Sequence, residues 1–440
     1  VSSHTAFLLL AAAACAAPPA AYHARVATAS ALPAPAPAAL DAHARVADYV
    51  RHAEQHGPAV AAAFERWTAA LAQVPQAVSL PDPRLTLGVF LDEVETRVGP
   101  IDGRLGLQQS FPWFGTLQAS GGRAFALSEA AREELEAERL AVAQRVRDAL
   151  YEAAWLEAAI DVTEGHRALI AHWEEVARAR YATGVGEQAD VIRAQVELGT
   201  LDDRVATLRD LRRPLVARVN TELGRPAATP VPLPREALLG GGEPDDEALL
   251  AGLEDTSPVL RALRHRVDAA RANVVLAQKA FAPDLAVGLE YTAVGSAAAA
   301  DVSGSGDDAL ALTLGLELPV WREGLEAGLA GARAARRAAS AALADARHRL
   351  AAELEMALYE LRDAERRVAL FGETLIPKGR ESVGALSTAY QAGKTGFLDL
   401  IDAERVLLEF ELATARAASD SARALARVER LSGVDLTEDE

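Results

Sequence analysis

Apolar residues along most of this chain step by three and four positions. Val142, Val146, Ala149, Ala153, Leu156 and Ile160 form one such stripe, and Leu350, Leu354, Ala357, Leu361, Ala364, Val368, Phe371 and Leu375 form another. This spacing puts every apolar side chain on one helical face and is the spacing of heptad seams. The first stripe lies in a stretch free of proline from Gly115 to Thr183, which predicts a single helix of ~100 Å at 1.5 Å per residue. A shorter stripe follows each long one: Val191, Ala194, Leu198, Leu201 and Val205, then Leu400, Ala403, Leu407 and Phe410. Gly165 in one long helix, and Pro377 with Gly379 in the other, are expected to mark kinks or breaks.

Before each long helix the period changes to two. Leu310, Leu312, Leu314, Leu316 and Leu318 alternate with small or polar residues, as do Leu285, Val287, Leu289 and Tyr291. In the first half Leu85, Leu87 and Val89 alternate, and so do Leu105, Leu107, Gln109, Phe111 and Trp113. Strands of about nine to eleven residues are predicted, the length a tilted membrane strand needs. Trp113, Phe114 and Trp321 follow Pro112 and Pro319 at strand ends, where an aromatic girdle would lie. Hairpin loops are expected near 92–103 and over 293–308. Four strands cannot close a barrel, and in lipid every strand edge needs a partner. Membrane strands here would therefore be shared among several chains. The alternative is an ordinary hairpin packed on a helix.

Both patterns belong to a duplication. Tyr181, Gly184 and Asp190 recur 209 residues on as Tyr390, Gly393 and Asp399, and Leu223-Gly224 answers Ser432-Gly433 in the same register. The short-helix stripes align under that shift too, so the chain is one structural unit built twice. Gly224 to Pro244, with its prolines and Gly240-Gly241-Gly242, reads as the connector between copies.

Composition narrows the function classes. Half the residues are hydrophobic but only 5% are aromatic, which suits long helices in close packing. A net charge of −18 weighs against a nucleic-acid partner. The single cysteine, Cys15, excludes an internal disulfide. It directly follows the short apolar run Ala6–Ala14, which reads as an export signal. Acylation at Cys15 and ordinary cleavage a few residues later both remain open. Ala27 to Pro37 is expected to be extended or disordered. The organisation predicted is a signal over 1–21, a lead-in over 22–40, a first repeat over 41–223, a connector over 224–244, a second repeat over 245–434 and an acidic tail over 435–440.

From about residue 40 to 435 the order of helix, strand pair, long helix, Tyr-x-x-Gly turn and helix, given twice, resembles the outer membrane efflux protein family of TolC-like channels. The likeness is specific at the two turns, at Phe111-Pro112-Trp113-Phe114-Gly115 and at the closing Leu431-Ser432-Gly433. It implies a mainly α fold with a small β part. Duplicated helical hairpins would form a trimeric periplasmic α-barrel, and four strands per chain would join a shared twelve-stranded outer-membrane β-barrel. The function implied is a passive exit duct of a tripartite efflux or type I secretion system, sited in the outer membrane and extending into the periplasm. Its implied partners are two further copies of itself, outer-membrane lipid, a periplasmic adaptor (membrane fusion) protein and an inner-membrane pump.

The resemblance also assigns roles. Asp399 and Asp402, three residues apart on one helical face, match the aspartates that ring the periplasmic entrance and would favour cations. Asp190 and Tyr390 match a pair that bonds neighbouring hairpins and holds the tip closed. Arg193 stands where the repeat counterpart of Asp402 would be, and Thr395 where typical members carry an arginine latch. Tyr181, Gly184 and Gly393 fall at the turns that dock the adaptor. Plainer readings stand beside these: Asp190 as a charge complementing a helix N-terminus, the tyrosines as plugs, the glycines as turn formers. His52 with His56, and His166 with His172, complete no metal pattern and read as surface residues, so no metal or other cofactor is expected. No nucleophile elbow or phosphate loop appears, and enzymatic activity is not expected. A periplasmic coiled-coil scaffold or adaptor without channel activity is the alternative, and it would have to bury the alternating leucines within one chain.

Overall fold

The computed structural model describes residues 16–31, 40–41, 44–232, 244–299 and 301–436. Cys15, the apolar run before it and the Gly-rich end of the connector lie outside the described residues. The chain divides into two compact units.

One unit contains Glu65–Arg132 and Ala262–Asp345, with the described residues up to 31. Its sheet holds β1 (Arg84–Val89), β2 (Glu95–Thr96), β3 (Gly99–Phe111), β4 (Asp284–Val294) and β5 (Ala309–Glu317), in the order β1-β3-β4-β5 with β2 paired to the start of β3. All pairings are antiparallel. The expected length of nine to eleven residues holds for β4 and β5, whereas β1 has six residues and β3 thirteen. The ladder reaches Gly99, so much of the loop expected near 92–103 is strand. Trp113 and Leu318 fall just past the strand ends, because Pro112 and Pro319 cannot donate to a ladder.

The register sorts the side chains into two faces. Leu85, Leu107, Leu289 and Leu312 stand abreast, as do Leu87, Leu105, Tyr291 and Leu310. On the other face the rows are Thr86, Gly106, Glu290, Ala311 and Gly88, Arg104, Thr292, Ala309. The leucine face is bare: Leu87 is 73% exposed and Leu314 80%. A soluble scaffold would have buried it. The antiparallel order sends both hairpin loops out at one end, where Gly295 N–H donates to Pro100 O at 2.7 Å and Gly306 N–H to Val98 O at 2.9 Å. All connections to helices leave at the opposite end. There Trp113 N–H donates to the Asp284 carboxylate at 2.8 Å and Lys279 Nζ to Phe114 O at 2.8 Å. Trp113 meets Phe114 edge to face at 5.5 Å, and Trp321 is exposed.

Helix α1 (Ala21–Ala31) also belongs to this unit and corrects the expectation of an extended or disordered stretch over 27–31, the rest of which, to Pro37, lies outside the described residues. The first proline after Pro19 is Pro33, so nothing stops the helix earlier, and Arg25 forks onto Glu129 with two bonds of 2.8 Å.

The remaining helices are α2 (Val46–His56), α3 (Pro58–Val78), α4 (Thr116–Ala182), α5 (Gln188–Glu222), α6 (Asp246–Thr256), α7 (Pro258–Lys279), α8 (Arg322–Ala369), α9 (Ile376–Gln391) and α10 (Phe397–Ser432). The second unit contains Glu133–Arg261 and the described parts of 34–64 and 346–440. Its core is made of the predicted seams. Val142, Val146, Ala149, Ala153, Leu156 and Ile160 are all buried, as are Leu350, Leu354, Ala357, Leu361 and Ala364, whereas Val368, Phe371 and Leu375 at the end of the second seam are only half-buried. At Gly165 there is no break, since α4 runs 67 residues through it. In the other long segment the irregularity lies ahead of Pro377, as a π-helical stretch Leu370–Leu375. The proline ring would collide with the carbonyl of Glu373, and a wider turn just upstream relieves that contact. Pro75 and Pro214 are carried inside α3 and α5.

The repeat extends further than its sequence motif. Gly224, closing α5, sits against the break between α2 and α3, with Pro58 Cδ 3.0 Å from where a Cβ would be. Gly433, closing α10, sits in the same way against the break between α6 and α7, with Thr256 O at 2.5 Å. Asn220 holds the connector by donating to Ala227 O and Thr229 O at 3.2 and 2.7 Å.

Leu354→Ala, in the middle of a fully buried seam, is expected to cost about 2–5 kcal/mol in denaturant unfolding. Gly165→Ala, with nothing within 4 Å of the added methyl, is expected to stabilise the unbroken helix by up to about 1 kcal/mol.

Candidate functional site

The two hairpins of the second unit end in matching turns. Gly184 N–H donates to Tyr181 O at 3.0 Å and Val185 N–H to Arg180 O at 3.0 Å; Gly393 N–H donates to Tyr390 O at 3.0 Å and Lys394 N–H to Ala389 O at 2.8 Å. The two glycines have φ of 73° and 70°, the left-handed conformation that closes a helix and suits glycine. Beneath the turns one apolar cluster joins both hairpins, with Ile170, Trp173 and Ala177 of α4, Ala194 and Leu201 of α5, and Tyr390, Phe397, Leu400, Ile401 and Leu408 of α9 and α10.

The two tyrosines of the repeat part company here. Tyr181 is 48% exposed, while Tyr390 is 2% exposed and packs 5.2 Å from the Phe397 ring. Its hydroxyl donates to Asp190 at 3.4 Å, a long bond between the two hairpins. Burial, with the Asp190 charge adding to it, pushes the Tyr390 phenol up to about 12, so it stays a donor at any physiological pH. Burial also raises the Asp190 carboxyl, with Glu187 adding to the shift and Arg193 opposing it. Arg193 lies 3.5 Å from Asp190 on the same helix.

Asp399 and Asp402 are exposed on α10. Asp399 accepts a 2.6 Å bond from Thr395, and Asp402 lies 3.3 Å from Arg405. Arg405 in turn bonds the buried Glu197 of α5 at 2.5 and 2.9 Å. Asp402 therefore shares its charge with a guanidinium, whereas the Asp399 partner is neutral.

Two further groups complete the tip. Arg180 places its guanidinium 4.7 Å over the Tyr390 ring and donates to Tyr390 O and Gln391 O at 2.8 and 2.9 Å. An arginine thus clasps the second hairpin from the first, although Thr395 occupies the expected latch position. The only sequence signal for it is a base in the last turn of α4. His166 corrects the reading of surface histidines. It is buried, with Nδ1 3.5 Å from Glu404 and Nε2 3.0 Å from Glu411. His52 and His56 stack at 4.8 Å, and His172 is exposed. Among the described residues no group of three or more ligating side chains could hold a metal ion, and no helix is long and apolar enough to cross a membrane.

The sequence profile of outer membrane efflux proteins matches the chain over residues 49–225 and again over 249–434, once for each repeat. No curated protein matches it. Among solved structures, the outer membrane protein VceC from Vibrio cholerae is similar with a TM-score of 0.73 and 20% identity, covering 88% of this chain and 96% of that one. The outer membrane channel MtrE of Neisseria gonorrhoeae, in its open state, gives 0.72 and 20%, covering 90% of each chain. The outer membrane channel CmeC of Campylobacter jejuni gives 0.70 and 13%, covering 90% and 87%. At these identities the likeness establishes the fold.

Arg180→Ala is expected to lower stability by about 1–3 kcal/mol, since a cation–π contact and two charge-assisted bonds are lost together. Tyr390→Phe should cost less than about 1 kcal/mol, because the bond it removes is long. Denaturant unfolding of the two variants against the parent measures both.

Proposed function

The chain belongs to the outer membrane efflux protein family, and from that premise we propose that it is the passive outer-membrane exit duct of a tripartite efflux or type I secretion system. The observation that carries this is the sheet. A continuous leucine face meets a face of small and polar residues, and β1 and β5 each pair on one side only. In hydrocarbon such a sheet is stable only if its edges close on other copies. Three chains would supply twelve strands, with the leucines toward lipid and Arg104, Glu290 and Thr292 toward the lumen. Trp113, Phe114 and Trp321 would sit at the level of the headgroups. The helical hairpins would continue the duct into the periplasm.

At the tip, Asp399 and Asp402 of three chains would form a ring of carboxylates across the entrance, attracting cations. Tyr390, Asp190, Arg193 and Arg180 would hold the hairpins together in the closed state. Opening would part the hairpins, and the open state recorded for MtrE supports such a change. The turns at Tyr181, Gly184 and Gly393 would receive the adaptor protein, behind which an inner-membrane pump supplies the energy. Export would begin with the N-terminal signal, followed by acylation at Cys15 or by cleavage further on.

Single-channel conductance in a planar bilayer tests this reading. The parent should give a small, cation-selective conductance, and Asp399→Ala with Asp402→Ala should enlarge it or abolish its selectivity. Asp399→Ala alone should produce most of the effect, because Arg405 already offsets Asp402. A parent that conducts nothing, from folded protein, would defeat the duct; unchanged variants would move the constriction elsewhere.

A further inference from the structure

We infer that His166 is a positioning residue that ties the two helical hairpins of one chain together, and that its charge sets how readily they part. This rests on the duct reading for its consequence, though not for its geometry.

The imidazole projects from α4 and lies between two carboxylates of α10. Nδ1 faces Glu404 at 3.5 Å and Nε2 faces Glu411 at 3.0 Å. Glu411 also pairs with Arg380 of α9 at 2.8 Å, so a chain of charges runs from Glu404 through His166 and Glu411 to Arg380 and spans both hairpins. Glu404 is 2% exposed, and neither of its oxygens has a hydrogen-bond partner. A carboxylate so buried needs a nearby cation, and His166 is the group placed to be one. The charged groups beside it are engaged with α5: Arg167 bonds Asp202, and Glu164 accepts from Arg209 at 2.6 Å. Arg204 of α5 takes up Glu409 at 2.8 Å. The two ring nitrogens point to opposite sides, so the three residues do not converge on one ion.

Chemistry makes the arrangement depend on protonation. Both partners are acceptors. A neutral imidazole donates one bond and turns a lone pair toward the other carboxylate, whereas imidazolium donates to both. Burial opposes the charge, but the nearby Glu404 and Glu411 carboxylates together outweigh it and raise the His166 pKa above its ordinary 6.5. The sign follows from linkage. The tie is fully present below the ordinary pKa and is lost as pH rises through the raised value of the closed state. The closed tip is therefore firmest in mildly acidic medium and loosens toward alkaline pH. The repeat counterpart of His166 is Leu375, so each chain carries one such tie, on the first hairpin only.

The test is single-channel conductance of the full chain from about pH 6 to about pH 9, for the parent, His166→Gln and Glu404→Gln. The parent's open fraction should rise with pH by up to about tenfold for each unit that the closed-state pKa exceeds the open-state one. That rise should vanish in His166→Gln and flatten in Glu404→Gln. A flat parent, or a His166→Gln variant that keeps the rise, would overturn the inference. Thermal unfolding across the same pH range decides it independently of conduction. The parent should lose stability relative to His166→Gln as pH rises, and parallel profiles would sink the proposal. Absence of current from every variant would count against the duct alone, with the unfolding profiles still judging His166.

Discussion

In hydrocarbon a backbone N–H or C=O without a partner has no water to fall back on, and each such group costs several kcal/mol. The form of the sheet answers to that constraint. The sheet has one face fit for lipid and one fit for water, yet its outer strands β1 and β5 each pair on one side only. Such an object is incomplete by itself. Its length and alternation prepare it for a barrel that one chain cannot finish. The antiparallel order then puts both loops at one end and all helix connections at the other.

Duplication solves the construction problem and leaves a chemical asymmetry behind. The turns at Gly184 and Gly393 are alike in dihedral angle and hydrogen bonding, as are the closures at Gly224 and Gly433 against their helix breaks. What has diverged is the chemistry beside them. Tyr390 is buried where Tyr181 is exposed, Lys394 stands opposite Val185, and Asp402 opposite Arg193. The clasp from Arg180 runs from the first hairpin to the second, and no arginine stands at its repeat position, Ala389. The two hairpins thus share a backbone plan but not a surface.

How much of this could be read from the sequence depended on range. Helical seams such as Val142 to Ile160, and the alternating leucines of β5, are local patterns fixed by 3.6- and 2-residue geometry, and they lie where the pattern puts them. The turn glycines and the Asp190–Tyr390 pair were reached through the repeat and the family likeness. Arg405 with Glu197, Arg180 with Tyr390, and His166 with Glu404 and Glu411 were not legible, because their partners lie about two hundred residues or more away and a lone charge on a helix reads as solvated. The π stretch at Leu370–Leu375 was displaced from its cause at Pro377, since the strain of a proline ring falls on the preceding turn. Helix α1 leaves no mark in the sequence, because an alanine-rich segment next to prolines carries no periodic stripe.

The most direct test of edge closure is amide hydrogen exchange of the protein in lipid nanodiscs, resolved to single strands. If copies close a common barrel, amides of β1 (84–89) and β5 (309–317) should be protected as strongly as those of the central strands β3 and β4. Rapid exchange confined to β1 and β5, with the central pair still protected, would mean that the edges stay open and would contradict a shared membrane barrel.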